Sequence, residues 1–198
     1  MQKAIEKERR VEHILLSLKK LDYLTRSQIQ ALHNLGSVRN AQRVMQELKE
    51  YVSCFRDGEN VYYLNAAGRE RVNATKVRKK TTQARHYIMR NSLYIAYGCP
   101  ATWKNEVKIG FKEDKKTQVI CDAIFLKDQR YHIVEVDHTQ KMTKNRFKIE
   151  KYKRLIELGF FDKPSLFVWI TTTEYRRKQL MKLMEGLDYR IFTVSDFH

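Results

Sequence analysis

Residues 119–152 read VICDAIFLKDQRYHIVEVDHTQKMTKNRFKIEKY. Two short apolar runs, 119–126 and 132–137, have the character of strands. Residues 142–158 have the 3.6-residue period of a helix, with Ile149, Tyr152, Leu155 and Ile156 on its apolar side. Asp122 interrupts the first run, and Glu135 and Asp137 interrupt the second. A carboxylate inside an apolar strand is costly unless it binds something. Strand alternation puts Ile133, Glu135 and Asp137 on one face and Val134 and Val136 on the other. If the strands pair, Asp122, Glu135 and Asp137 converge. Converging carboxylates form the hard-oxygen site that Mg²⁺ or Mn²⁺ prefers. Such an ion can hold a phosphate and activate an attacking water. Lys148 and Tyr152, four residues apart, share one face of the helix that follows. His132 and His138 flank the acids and read as structural side chains before ligands.

Around this stretch the pattern continues. Residues 86–96 read as a helix, 103–111 as a strand around Val107 and Ile109, and 166–170 as a nearly all-apolar strand. Residues 175–184 read as a helix and 190–194 as a last strand. The order α-β-β-β-α-β-α-β predicts a mixed central sheet with helices on both faces.

The N-terminal third has a different grammar. Val11, Ile14, Leu15, Leu18 and Leu21 recur at helical spacing over 8–21. Thr25 to Gln28 reads as a capping box opening a short helix that buries Ile29, Leu32 and Leu35. Gly36 breaks it, and Ser37 is a good N-cap for the next. That helix buries Ala41, Val44, Met45 and Leu48 and turns Arg39, Asn40, Arg43 and Gln46 outward. Asp57-Gly58 between two β-type runs is a hairpin signal. Helix, helix–turn–helix and hairpin together are the order of a winged helix-turn-helix, whose second paired helix enters the major groove. Arg39, Asn40, Arg43 and Gln46 are then the base-contact residues, since Arg reads guanine and Asn or Gln reads adenine by paired hydrogen bonds. Arg56 at the wing would touch phosphate or the minor groove.

Lys76, Arg78, Lys79 and Lys80 form a basic run between the two regions. It reads either as a solvated linker or as a phosphate clamp. The whole chain of 198 residues carries a net charge of +16, spread over both halves. A polyanion, most simply nucleic acid, is the partner this implies. Three cysteines without paired spacing argue for a reducing cytoplasm and against zinc or a disulfide framework. The charged start has no apolar leader, and no apolar run is long enough to span a bilayer.

An Asp on one strand followed by an acid on the next resembles the PD-(D/E)XK nuclease superfamily. Here Asp122 is the first acid, Glu135 the second, and Asp137 stands where that pattern has lysine. Some members carry the lysine on the following helix, which makes Lys148 the replacement, with Lys144 and Lys141 behind it. Lys148 through Tyr152 also resembles the Gln-x-x-x-Tyr of recombination-type members. The segments Asp122-Ala123-Ile124-Phe125 and Val134-Glu135-Val136-Asp137-His138-Thr139, with Lys148 and Tyr152, resemble the replication-relaxation family. That family usually has Pro-Asp-Gly at the first acid, whereas Asp122 lies between Cys121 and Ala123. The resemblance implies a role in replication or transfer of bacterial plasmids, phages or integrative elements.

The resulting expectation is an α+β chain. Residues 1–75 form a winged helix-turn-helix, 76–85 a basic connector, and 86–198 a PD-(D/E)XK nuclease-like α/β domain. It is a cytoplasmic double-stranded-DNA-binding protein acting in replication, transfer or regulation of a mobile element, with other replication or transfer proteins as partners. Either its nuclease-like domain is catalytically degenerate, or the chain is a Mg²⁺- or Mn²⁺-dependent endonuclease or nickase. In the enzyme, Asp122, Glu135 and Asp137 are metal ligands and Lys148 and Tyr152 complete the catalytic set. A third reading is a winged-helix repressor that dimerises through its C-terminal domain.

Overall fold

The computed structural model describes residues 2–197, with only the backbone of Lys3. Two compact units divide the chain, Met1–Asn91 and Ser92–His198.

In the first unit, α1 (Gln2–Leu21) presents Ile14, Leu15, Leu18 and Leu21 to the core at 1% exposure or less. Then come β1 (Leu24–Thr25), α2 (Arg26–Leu32), α3 (Val38–Glu47) and a hairpin of β2 (Val52–Asp57) and β3 (Glu59–Leu64). The Thr25–Gln28 capping box forms in both directions, and Ser37 caps α3. Both caps satisfy amides that a helix start leaves open. Gly58 takes a φ of 74° at the hairpin turn, a left-handed conformation that costs glycine nothing. The strand order is β1-β3-β2, all antiparallel. A short helix α4 (Ala66–Arg71) follows, capped by Asn65. Gly68 lies within it because a Cβ there would collide with the Tyr51 carbonyl.

The division between units falls within α5 (Ala84–Ala96). Its beginning belongs to the first unit, where Ala84 packs with Tyr23 and Val61, and Tyr87 packs against that cluster. The segment expected to be a basic connector is tied down in the same place. Asp22, 3% exposed and at a left-handed φ of 71°, accepts from Arg78 Nε at 2.9 Å and Nη2 at 2.7 Å. Arg90, 1% exposed, donates to the other Asp22 oxygen at 3.2 Å and to the Leu21 carbonyl at 3.1 Å. Asn91 donates to the carbonyls of Leu21 and Tyr23, and Tyr23 donates its hydroxyl to the Lys79 carbonyl. Buried charges persist when paired and hydrogen-bonded in this way.

In the second unit, β4 (Lys104–Ile109), β5 (Val119–Lys127), β6 (Arg130–Asp137), β7 (Ser165–Thr171) and β8 (Tyr189–Thr193) form one sheet in chain order. The first three strands are antiparallel and the last two join in parallel. Parallel neighbours need crossovers, supplied by α6 (Met142–Glu157) and α7 (Glu174–Leu183). Ile149, Tyr152 and Leu155 from α6 and Leu180 from α7 pack with Ile133, Phe167, Trp169 and Ile191 of the sheet. Trp169 is fully buried, and a side chain of that size contributes on the order of 3 kcal/mol by burial. A second aromatic layer joins Tyr94, Tyr97, Trp103, Phe125 and His132, with Phe125 stacked on His132 at 4.5 Å between centroids. The helix and strand bounds fall within a few residues of those predicted, except that α1 begins at Gln2, six residues before the apolar period, and the mixed α+β class holds. The two-residue β1 was not anticipated.

Candidate functional site

The β5–β6 pairing runs from Lys127↔Arg130 only as far as Ala123↔Val134. Beyond it, β6 stays paired with β7 through Asp137↔Thr171, so β5 leaves its neighbour. Asp122 stands at this fork. Its Oδ2 accepts the Val136 amide at 2.7 Å, standing in for a ladder carbonyl. On the other side of β5, pairing skips the Glu106 position opposite Asp122, and Glu106 has a φ of 52°. The fork opens the sheet beside Glu135.

Glu135 is fully buried, and α6 supplies both of its partners. Lys148 Nζ donates to Oε2 at 2.5 Å, and the Tyr152 hydroxyl donates to Oε1. The pairing follows from spacing, because residues four apart on a helix present neighbouring side chains. Burial pushes the Glu135 carboxyl up to about 8, against the pull of the Lys148 ammonium, while Asp122 raises it further. Burial also opposes the charge on Lys148, yet Glu135 and Asp122 hold its pKa above the usual lysine value. Burial drives Tyr152 well above the ordinary phenol range, reinforced by Glu135, so it remains a neutral donor. Cys121, beside them, is pushed up to about 12 by burial and by Glu135 and is therefore a thiol.

Asp137 belongs to a different cluster. Its Oδ2 accepts from Arg176 Nε at 2.7 Å and Thr171 Oγ1 at 2.6 Å. Its Oδ1 accepts from Arg176 Nη2 at 2.5 Å and Asn145 Nδ2 at 2.8 Å. Arg176 Nη2 also reaches the Gln140 carbonyl at 2.7 Å. Burial works against ionisation of Asp137, but hydrogen bonds from Arg176, Thr171 and Asn145 more than offset it and hold the carboxyl below its usual range.

The expected convergence of Asp122, Glu135 and Asp137 is therefore corrected. Strand alternation does put Glu135 and Asp137 on one face, but each is claimed by different neighbours. Among the described residues, no group of three His, Cys, Asp or Glu side chains is placed to hold a metal ion. Both oxygens of Glu135 face internal donors, so the side chains as they stand do not fit a three-carboxylate Mg²⁺ or Mn²⁺ site. What does assemble is Asp122, Glu135, Lys148 and Tyr152. Lys141 and Lys144 are exposed, so Lys148 alone fills the lysine position. Arg176 was missed in the sequence, where nothing local marks it. Asn145 left a signal: it lies three residues before Lys148 and seven before Tyr152, on the same inward stripe.

In the first unit, Arg39, Arg43, Gln46 and Arg56 are exposed. Asn40 is committed within the fold: its Nδ2 donates to the Leu35 carbonyl at 2.8 Å and its Oδ1 accepts from Arg43 Nη2 at 2.8 Å. It orients Arg43 and stabilises the turn, which corrects its reading as a free adenine reader. Lys79 and Lys80 are exposed, but Arg78 grips Asp22 and the Lys76 ammonium lies 3.9 Å from the same carboxylate. Arg78 is therefore part of the fold, whereas Lys76 stays 53% exposed; for Arg78 this corrects both readings of the run, as solvated linker and as phosphate clamp.

Fold and site together define an α+β protein of two units, the second a mixed sheet that buries an acid–lysine–tyrosine cluster. A family model described as replication-relaxation matches residues 15–167, and the chain belongs to that family. Among solved structures, the chain is similar to protein VC1899 from Vibrio cholerae at 12% identity and a TM-score of 0.41. That match covers 95% of this chain and 53% of the other, so the chain spans about half the length of that protein. No match is found among curated proteins. Among the described residues, no helix is long and apolar enough to cross a membrane.

Proposed function

We propose that this chain is a double-stranded-DNA-binding protein acting in replication, transfer or regulation of a bacterial mobile element. On this reading Met1–Asn91 is a winged helix-turn-helix and Ser92–His198 a PD-(D/E)XK nuclease-like unit. The observation that carries it is the outward face of α3. Ala41, Val44 and Met45 anchor that helix inward, leaving Arg39, Arg43 and Gln46 exposed in a chain of net charge +16. A rigid helix with exposed Arg and Gln side chains suits base-edge contacts in the major groove. Arg56, Lys79 and Lys80 add exposed cations for phosphates. Family membership supports a DNA-associated role and other replication or transfer proteins as partners.

The test is selection from a pool of duplexes with a randomised centre. The wild-type chain is expected to enrich a consensus. Arg39→Ala with Arg43→Ala should lose that consensus and weaken binding by roughly tenfold or more, with a shallower salt dependence. An unchanged consensus in the double variant would overturn the role given to α3.

A second reading, a Mg²⁺- or Mn²⁺-dependent endonuclease or nickase, is favoured by one observation. Lys148 meets Glu135 beside Asp122, so α6 supplies the cation that β6 lacks. Supercoiled plasmid incubated with either cation distinguishes the readings. The enzyme reading requires nicking by the wild type and its loss in Glu135→Gln. Intact plasmid throughout, with duplex binding retained, leaves the DNA-binding reading standing and removes the enzyme.

A further inference from the structure

We propose that the flank of α6 beside the Glu135 site binds single-stranded DNA, with Phe147 as the stacking platform for an unpaired base. Phe147 is 65% exposed, although α6 buries Asn145, Ile149, Tyr152 and Leu155 on its inner side. The core therefore does not explain this ring. At helical spacing Lys144, Phe147 and Lys151 fall along one flank, and Lys148 lies on its inner margin. Lys148 points to Glu135, and Lys151 donates to the Gln118 carbonyl at 2.9 Å. The flank thus borders both the site and residues 111–118, where Lys112, Lys115 and Lys116 are exposed. The acids nearby are Glu113, Asp114 and Glu150 on the surface and Asp122 and Glu135 in the site, where Lys148 pairs with Glu135. The exposed Lys112, Lys115, Lys116 and Lys144 outnumber the three surface acids.

A single exposed aromatic is common on protein surfaces and means little by itself. Here the ring stands among cations aligned along one flank, the pairing of stacking face and electrostatic track that single strands use. In a duplex each base face is covered by its neighbours, so the ring can stack only where a base is unpaired. The inference rests on the DNA-binding reading for its ligand class, but on a different element from α3.

The test uses the full chain and anisotropy of labelled oligo-dT and of a labelled duplex of equal length. Phe147→Ala should weaken oligo-dT binding by about tenfold, within the range for loss of one stacked base, and leave duplex binding nearly unchanged. Phe147→Tyr should bind oligo-dT like the wild type. Arg39→Ala with Arg43→Ala should do the reverse of Phe147→Ala, weakening duplex and sparing oligo-dT. No wild-type affinity for oligo-dT would overturn the proposal. So would unchanged binding by Phe147→Ala, equal losses on both ligands, or a Phe147→Tyr variant as weak as Phe147→Ala. Binding to an acidic peptide that competes fully with oligo-dT and persists in Phe147→Ala would also overturn it, because the site would then be a generic cationic surface. A wild-type chain that binds oligo-dT but not duplex, or a double variant with unchanged duplex binding, would count against the role of α3 and leave this inference intact.

Discussion

Asp22→Ala is expected to destabilise the first unit by about 4 kcal/mol, the middle of the range for removing one partner of a buried ion pair. The deleted carboxylate is the shared partner of Arg78 and Arg90. Arg78 keeps 24% of its side chain in water and can be rehydrated, whereas Arg90 keeps 1%. Arg90 would retain the Leu21 carbonyl and the Asn91 side-chain oxygen, neither of which carries charge. Alanine adds a backbone cost of about 1 kcal/mol, since it tolerates the left-handed conformation less well than Asp or Asn. Asp22→Asn keeps that tolerance and one acceptor, so its loss should be smaller. The chain's two tryptophans, Trp103 and Trp169, lie in the second unit, so their fluorescence does not report this event directly. Hydrogen exchange read over residues 76–91 does. Faster exchange there in Asp22→Ala is the expected result, and protection equal to the wild type would show that the cluster is not holding the segment.

The periodic elements were legible because their physics is local. A 3.6-residue apolar period, an Asp-Gly turn and a capping box each act within a few residues. The one extra strand, β1, has no such signature: Leu24 and Thr25 become a strand only by pairing with Tyr62 and Val61. Half of the candidate site was legible for the same reason. Lys148 and Tyr152 sit one turn apart, so their meeting at one carboxylate follows from helix geometry once α6 covers β6. The Asp137 environment was not legible. Alternation correctly assigns its face, but its dominant partner, Arg176, is 39 residues away and arrives through the second crossover. The Asp22 cluster has the same cause, with Arg78 and Arg90 at separations of 56 and 68 residues. A run of cations in sequence looks like a solvated surface until a buried acid elsewhere in the chain claims one of its members.

Asp137→Ala should destabilise the second unit by about 3 kcal/mol, the lower end of the range for a broken buried pair because Arg176 keeps 24% of its side chain exposed. The change would leave Thr171, Asn145 and the Arg176 guanidinium without their common acceptor, and unsatisfied buried donors carry their full desolvation cost. Tryptophan fluorescence is the right probe, because Trp169 lies in β7, two residues before Thr171. The pH dependence gives a sharper result. The folded-state pKa of Asp137 is depressed, so its stabilising contribution is fully present above the unfolded carboxylate value of about 4 and is lost as pH falls through the folded value. Asp137→Asn removes that titration. Its stability deficit relative to the wild type should be largest at neutral pH and shrink as the solution is acidified below about pH 4. A deficit that stays constant across that window would mean that Arg176 gains nothing from the charge. The same variant separates scaffold from site. Asp137 shares no hydrogen bond with Glu135, Lys148 or Tyr152 among the contacts that define their cluster. If the Glu135 cluster has an activity, Asp137→Asn should therefore lower the temperature to which it survives and leave its dependence on Lys148 in place.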